Sequence, residues 1–337
     1  MSKVFVIAEA GANHNRDFDQ AKALIDVAVK AGADAVKFQT YSSETLYSAN
    51  TPDFAGYKNI NKLIKDIELP RNWQQDLKSY CDDSGIEFVC TPFDEQAVDE
   101  LYNIGVKRYK IAGFEATDPR FVKCVASTNL PLIITSGIGS NVNMVSQIVG
   151  WVRDVNPMAD LTILHGNNAY PTPFEDAGLN QIDRLRESVP GISVGLSDHT
   201  PGILVPPMAV AKGATVIEKH YTLSQLLPGP DHPFAIEPDE LTQMVANIRT
   251  AEVVCQGKEG NLSPSEENFT MAMRSVVTKT AITEGTLITA ANITTKRPLL
   301  EDSIPALEYY LTLGTYATTD MEADHIVRRT DIICKEE

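Results

Sequence analysis

Between residues 4 and 254, short apolar runs each end in a polar or ionisable side chain, and longer segments with helical spacing lie between them. Residues 4–8 lead into Glu9, 35–36 into Lys37 and Gln39, 87–89 into Thr91, and 108–109 into Lys110. Further on, 132–134 lead into Thr135 and Ser136, and 161–164 into His165 and Asn168. The last two runs, 194–196 and 216–217, lead into Ser197, Asp198 and His199, and into Glu218, Lys219 and His220. Short apolar runs bounded this way read as strands buried on both faces. Segments 17–30, 72–84, 94–104, 118–126, 142–155, 178–188, 204–211 and 238–254 carry helical spacing. In the first of these the apolar positions are Ala21, Leu24, Ile25 and Ala28, with Gly32 beyond as a stop signal. Strands alternating with helices in this way predict an α/β fold, a (β/α)8 TIM barrel. Such a barrel gathers its chemistry on one face, at the C-terminal ends of its strands.

After the barrel pattern the rhythm changes. Residues 257–268 (GKEGNLSPSEEN) shift to glycine, serine, proline and charge, the composition of a linker. Residues 275–279, 281–287 and 292–296 are short β-like runs split by turns such as Glu284-Gly285, and 304–313 and 326–331 follow. The chain therefore divides into a barrel over 1–258, a linker over 259–274 and a small β-rich domain over 275–337. That last part is too small to bury much core alone, so it is expected to lean on the barrel or on a second subunit. Segment 43–70 exceeds what a barrel loop needs and carries Tyr47, Phe54 and Tyr57, so it is read as a lid over the barrel mouth.

Composition narrows the partners. A chain of 337 residues suits a barrel of about 250 plus an appendage. A net charge of −16 disfavours nucleic acid and anionic membrane surfaces, which are polyanions themselves. No run approaches the about 18 apolar residues of a membrane span. Cys81, Cys90, Cys124, Cys255 and Cys334 are scattered without a CxxC pair, so reduced thiols in a cytoplasmic protein are expected. Met1-Ser2-Lys3 runs straight into a strand, which reads as no signal peptide.

Against this acidic background the lysines at strand ends matter. Lys37 and Lys110 hold matching positions, with Thr91 and Ser136 as nearby hydroxyl donors, an arrangement suited to an anion carrying phosphate and carboxylate. The alternative is that each lysine reaches the rim or pairs with a structural carboxylate. His199 and His220 end neighbouring strands and could share one divalent ion, with Asp198 or Asp231 in support. Open positions would then favour Mn2+ over a closed structural zinc. Two unrelated core histidines are the bland alternative. His14 is a weaker candidate, and His232 and His325 look incidental. Glu9 could be a general base or a partner for a lysine. Ser197 and Glu115 are counted with the substrate-binding residues, Glu115 for sugar hydroxyls. Asn168 and Tyr170, in GNNAYPTP, suit a polar, sugar-like ligand.

Taken together, the motifs IAEAGANHN, VKFQT, CTPFD, YKIAGFE, ITSGI, AYPTPFED, GLSDHT, EKHYT and PGPDH resemble the sialic acid synthase family. Its members condense phosphoenolpyruvate with an N-acetylated hexosamine to give nine-carbon nonulosonic acids. The C-terminal part resembles the family's antifreeze-like (SAF) domain, which is swapped onto the partner's barrel in a homodimer. The resemblance implies Glu9 as the catalytic carboxylate and Lys37, Thr91, Lys110 and Ser136 as phosphoenolpyruvate-binding residues. It further implies binding roles for Asn168 and Tyr170, amino-sugar contacts for Glu115 and Asp231, and His199 and His220 as Mn2+ ligands. The implied reaction uses the ion as a Lewis acid on the sugar aldehyde. C3 of phosphoenolpyruvate attacks, water adds at C2 and phosphate leaves by C–O cleavage.

Several positions depart from the family pattern. Gly166 stands where the family usually has cysteine. Ala112-Gly113-Phe114 looks closer to pseudaminic acid synthases, whereas PGPDH looks closer to the neuraminate and legionaminate branches. Glu322 falls where the antifreeze-like domain presents an arginine. The sugar is expected to be N-acetylmannosamine or a diacetamido-trideoxyhexose. Rival readings are a Schiff-base aldolase using Lys110 or Lys219, a phosphoenolpyruvate condensation on a sugar phosphate, and a non-catalytic sugar-binding protein.

Overall fold

The computed structural model describes residues 3–53, 56, 58–139, 141–257, 260 and 262–334. The chain divides into two compact units, residues 1–257 and 258–337. In the first, eight parallel strands form the barrel wall: β1 (Phe5–Gly11), β2 (Ala35–Thr40), β3 (Glu87–Pro92), β4 (Tyr109–Ile111), β5 (Leu132–Thr135), β6 (Leu161–Gly166), β7 (Ser193–Asp198) and β8 (Val216–His220). Their ladder order is β3-β2-β1-β8-β7-β6-β5-β4, and β3 and β4 come side by side at the seam. There Arg108 clamps Glu87 through two hydrogen bonds of 2.6 and 3.2 Å.

Alternation along each strand separates two cores. Outward residues such as Val6, Val36, Phe88, Ile134, Ile163 and Ile217 pack under the surrounding helices. Inward residues Ile7, Ala35, Val89, Ile133, Leu164 and Val216 plug the barrel. Two positions further along the inward faces of β1, β2, β3, β5 and β8 stand Glu9, Lys37, Thr91, Thr135 and Glu218, so the site rests directly on the apolar plug.

Side-chain caps fix where the helices begin. Asp17, Asp94 and Asp118 accept backbone N–H groups at the starts of Phe18–Ala31, Glu95–Asn103 and Pro119–Ala126. The last barrel helix, Pro238–Cys255, is tied to the floor by Arg249, which donates to the Val4 carbonyl at 2.7 Å and to Asp34 at 2.6 Å. Segment 43–70 contains a helix, Ile60–Ile67, whose Ile60 and Ile64 pack on Tyr41. Phe54 and Tyr57 lie outside the described residues. Among the described residues no helix is long and apolar enough to cross a membrane.

The second unit has two antiparallel pairs, β9 (Ser275–Thr278) with β10 (Ile293–Lys296), and β11 (Tyr316–Ala317) with β12 (Ile332–Ile333). Val276, Ile282, Ile288, Ile293, Ile304, Met321 and Val327 form its small core. Residues 281–287 form no regular strand but run beside 316–321 through the bridges Ile282–Met321 and Leu287–Tyr316, with the Gly285 N–H donating to the Ala317 carbonyl and the Ala317 N–H to the Thr286 carbonyl. The run 304–313 holds two helical turns, Ala306–Glu308 and Tyr309–Thr312. Proline at 305 sets up the first of them, and Tyr310 and Leu311 face solvent.

Candidate active site

Four charged side chains meet on the barrel axis above the plug. Lys37 Nζ lies 2.9 Å from Glu9 Oε2 and 3.8 Å from Glu218 Oε2, and donates to Thr91 Oγ1 at 3.0 Å. Lys110 Nζ lies 3.5 Å from Glu218 Oε1. Gln39 Nε2 donates to Glu9 Oε1 at 2.6 Å, and Ser197 Oγ donates to Glu218 Oε1 at 3.0 Å. All four charged groups are almost fully buried. The two lysines expected to face an anion are therefore held between carboxylates. Glu218, which ends its strand in the sequence pattern but was given no role there, is the carboxylate that joins them.

Burial gives the two glutamates different protonation. Desolvation raises Glu9 from 4.5 to about 7, with Lys37 opposing the shift and the charge of Glu218 adding to it. Glu218 is desolvated as well, but Lys110, Lys37 and the Ser197 hydroxyl together pull it below the ordinary carboxylate value. One carboxylate is thus fixed as an anion, and the other is balanced near neutrality.

Above this layer sit the aromatic and imidazole rings. The ring centroids of His199 and His220 are 5.5 Å apart, and the Tyr170 ring lies 4.2 Å from that of His199, tilted by 43°. His199 Nδ1 donates to the Asn167 carbonyl at 2.5 Å, which leaves the Nε2 lone pair available. His220 Nδ1 has no hydrogen-bond partner and is 4.0 Å from Asp231 Oδ2. Burial lowers both imidazoles below 6.5, so both are neutral at physiological pH. Asp231 Oδ2 also accepts the Ala12 N–H at 3.1 Å. A Cβ on Gly11, which has φ +52°, would come within 2.6 Å of that oxygen, so glycine is required beside Asp231.

Two neutral nitrogen donors side by side fit a divalent ion. Among the described residues, no group of three or more His, Cys, Asp or Glu side chains could hold an ion. The protein would therefore supply two imidazoles and leave other positions to substrate oxygens and water.

Other candidates fall elsewhere. Asp198 faces outward on β7, 2.7 Å from Lys219, and accepts the Thr200 N–H and hydroxyl at 3.1 and 2.8 Å. It cannot also serve the histidines, because odd and even positions of a strand face opposite sides. The same alternation removes Lys219 from the barrel interior and from any Schiff-base role there. His14 is a structural residue: its Nδ1 accepts the Arg16 N–H at 3.0 Å, and burial pushes it down to about 4. Ser136 is buried just past β5, its N–H donating to the Leu164 carbonyl at 2.8 Å. The inward position at this end of β5 is Thr135, whose buried Oγ1 has no partner.

Asn168 lies against Gly113, with its Oδ1 buried and unpaired. Glu115 lines a cleft of about 420 Å³ with Leu46, Phe93, Phe114, Arg120 and Phe121. Its Oε2 has no partner, and burial raises it to about 7. Gln39, Thr135 and Glu218 end their strands in the sequence pattern, and stepping by two from each apolar plug residue would have marked them as facing the barrel interior.

Residues 24–260 match the NeuB family model and residues 273–333 the SAF domain model. The chain is 38% identical to an N,N'-diacetyllegionaminic acid synthase of Legionella pneumophila, over 87% of this chain and 85% of that protein. It is 33% identical to the synthase of the same name from Campylobacter jejuni, over 97% of this chain and 100% of the other. The crystal structure of an N-acetylneuraminic acid (sialic acid) synthetase from Leptospira borgpetersenii superposes with a TM-score of 0.73. That match has 31% identity and covers 80% of this chain and 90% of that one. At 12% identity and a TM-score of 0.59, a 3-deoxy-D-arabino-heptulosonate 7-phosphate synthase of Thermotoga maritima shares the barrel fold. An eight-stranded barrel with this charged axis, followed by a SAF domain, belongs to the NeuB family.

Proposed function

We propose that this protein condenses phosphoenolpyruvate with an N-acetylated amino sugar, releasing phosphate and forming a nonulosonic acid. The observation that carries the reading is the buried Glu9–Lys37–Glu218–Lys110 chain lying beneath paired neutral histidines. With Glu9 protonated, two ammonium groups face one carboxylate, and the excess positive charge selects an anion. Lys37 and Lys110 would bind the phosphate and carboxylate of phosphoenolpyruvate, with Thr91, Thr135 and Ser197 as hydroxyl donors. Ser136, Asn168, Tyr170, Glu115 and Asp231 would complete the substrate pocket.

C3 of phosphoenolpyruvate bonds to the aldehyde carbon, whose oxygen takes up a proton. Water adds at C2 and loses one, and phosphate departs. Glu9, balanced near neutrality, is the group in this chain suited to hold either proton. His199 and His220 would hold a divalent ion, Mn2+ in this reading, which would supply Lewis-acid polarisation of the aldehyde oxygen when bound.

Relatives that make diacetyllegionaminic acid support a diacetamido-trideoxyhexose as the sugar, with N-acetylmannosamine as the alternative. The thin core of the second unit supports a domain-swapped homodimer, and five free cysteines support a cytoplasmic location. The test is phosphate release from phosphoenolpyruvate with Mn2+ against a panel of amino sugars. Release that depends on one sugar is the expected result. No release with any sugar, or release with sugar phosphates alone, overturns the proposal.

A further inference from the structure

The methyl of Thr135 occupies the space that a side chain at position 166 would need. β5 and β6 are neighbouring strands, and both residues sit at the C-terminal ends of those strands. A Cβ on Gly166 would lie 2.8 Å from Thr135 Cγ2, 3.3 Å from the Ser197 carbonyl oxygen and 3.4 Å from Ser197 Cβ. The first distance is shorter than real Cβ contacts allow. The contacted atom is the methyl of a β-branched side chain with little torsional freedom. The hydroxyl, on the other branch of the same Cβ, is left buried and without a partner. A buried hydroxyl with no acceptor is costly unless something arrives to use it.

Gly166 has no left-handed backbone to accommodate, so glycine at this position is explained by the close approach of the threonine methyl. We propose that Gly166 is a positioning residue: by lacking a side chain it seats the Thr135 methyl and so fixes the direction of the Thr135 hydroxyl. This inference rests on the reading of the site as one that binds phosphoenolpyruvate. It also accounts for the small residue where the resemblance leads one to expect cysteine. A larger residue at 166 demands a smaller one at 135.

The test is a cycle of Gly166→Ala, Thr135→Ser and the double variant, each measured for phosphoenolpyruvate binding by titration calorimetry and for kcat and KM. Alanine at 166 must turn the threonine to another rotamer and misdirect its hydroxyl. Weaker binding and a raised KM of about ten- to a hundredfold are expected, the loss of one hydrogen bond to a charged group. Serine has no methyl, so the double variant should return to within about threefold of Thr135→Ser alone, well inside one tenfold step. Melting temperatures separate this from general damage, because a folded Gly166→Ala protein with altered KM is the expected species. Additive effects, or a Gly166→Ala enzyme equal to the wild type, overturn the pairing. Wild-type protein that fails to bind phosphoenolpyruvate at all overturns the functional reading instead.

Discussion

Lys110 and Glu218 stand on opposite sides of the barrel, on β4 and β8, yet their charged atoms are 3.5 Å apart. Both side chains reach the axis just above the apolar plug, where water is excluded. An ion pair there costs desolvation that it recovers only if every partner is present. Glu218→Gln keeps the shape and can still accept from Ser197, but leaves Lys37 and Lys110 short of a negative charge. We expect a loss of about 3–5 kcal/mol, the range for breaking a buried pair. Urea unfolding at pH 7 measures it, and a loss below about 0.5 kcal/mol, ordinary for a surface change, would refute the central role of this pair.

Glu9 gives stability a pH dependence whose sign is fixed. Its folded value of about 7 lies above the ordinary 4.5, so the unfolded chain gives up its proton first. Its contribution is fully present below pH 4.5 and lost as pH rises through 7. Glu9→Gln should therefore flatten the fall in stability between pH 5 and pH 8. Glu115, also raised to about 7, leaves a residual slope that Glu9→Gln with Glu115→Gln removes. In the assay Glu9→Gln should lose about 10²–10⁴-fold in turnover, the size of a general-base contribution, while still binding phosphoenolpyruvate. A variant within twofold of the wild type takes Glu9 out of the mechanism.

Alternation explains what could be read in advance. Apolar residues ending in Glu9, Thr91 or His220 made the barrel and its mouth legible, because strand ends must point at the mouth whatever the details. Side-chain partners were less legible, because Glu218 meets Lys110 across the barrel from a strand that no local pattern links to it. Asp198 was misplaced for a simpler reason: it neighbours His199 in sequence, and neighbours in a strand face opposite ways. The helix Ile60–Ile67 was hidden in a segment long enough to read as a lid, although Ile60, Ile64 and Ile67 have helical spacing. The second unit gave weak signals throughout, since its strands are two to four residues long and much of its pairing is by single bridges.

His199→Ala and His220→Ala should each abolish turnover while leaving the melting temperature close to that of the wild type. Mn2+ titration into chelator-treated protein should show binding in the wild type and none in the double variant. Full activity of the double variant after chelation would remove the metal from the reading. His14→Gln is the contrasting case. It should leave Mn2+ binding intact, because His14 caps its own loop and faces Phe38 and Trp73.

Residues 1–257 contain the whole charged axis and both histidines, so a protein ending near Gly260 should be soluble and bind phosphoenolpyruvate. Turnover should nonetheless be largely lost if, as the resemblance implies, the second unit is swapped onto the partner's barrel and reaches its sugar site. Sedimentation of the full-length chain should show a dimer. A monomer with full activity would contradict the swapped arrangement.

Glu322 decides the sugar question most sharply. Its turn is anchored within the second unit, where the Glu322 carbonyl accepts the Thr278 hydroxyl at 2.6 Å, and its side chain is exposed in the chain alone. Had an arginine stood here, it would offer a planar fork of donors to an acyl carbonyl. Glutamate offers only acceptors, so a sugar presenting an N–H or hydroxyl at that point gains, and one presenting a carbonyl loses. A desolvated, unmatched polar group costs about 1–3 kcal/mol, or roughly ten- to a hundredfold in kcat/KM. Glu322→Arg should therefore shift the ratio of kcat/KM for N-acetylmannosamine over a diacetamido-trideoxyhexose upward by that factor, with phosphoenolpyruvate KM unchanged. Because the residue is exposed and anchored only through its backbone, the substitution should cost little stability, so the ratio can be read without a folding correction. An unchanged ratio would mean that Glu322 stays in solvent in the dimer, and the specificity would then have to come from the barrel residues around Glu115.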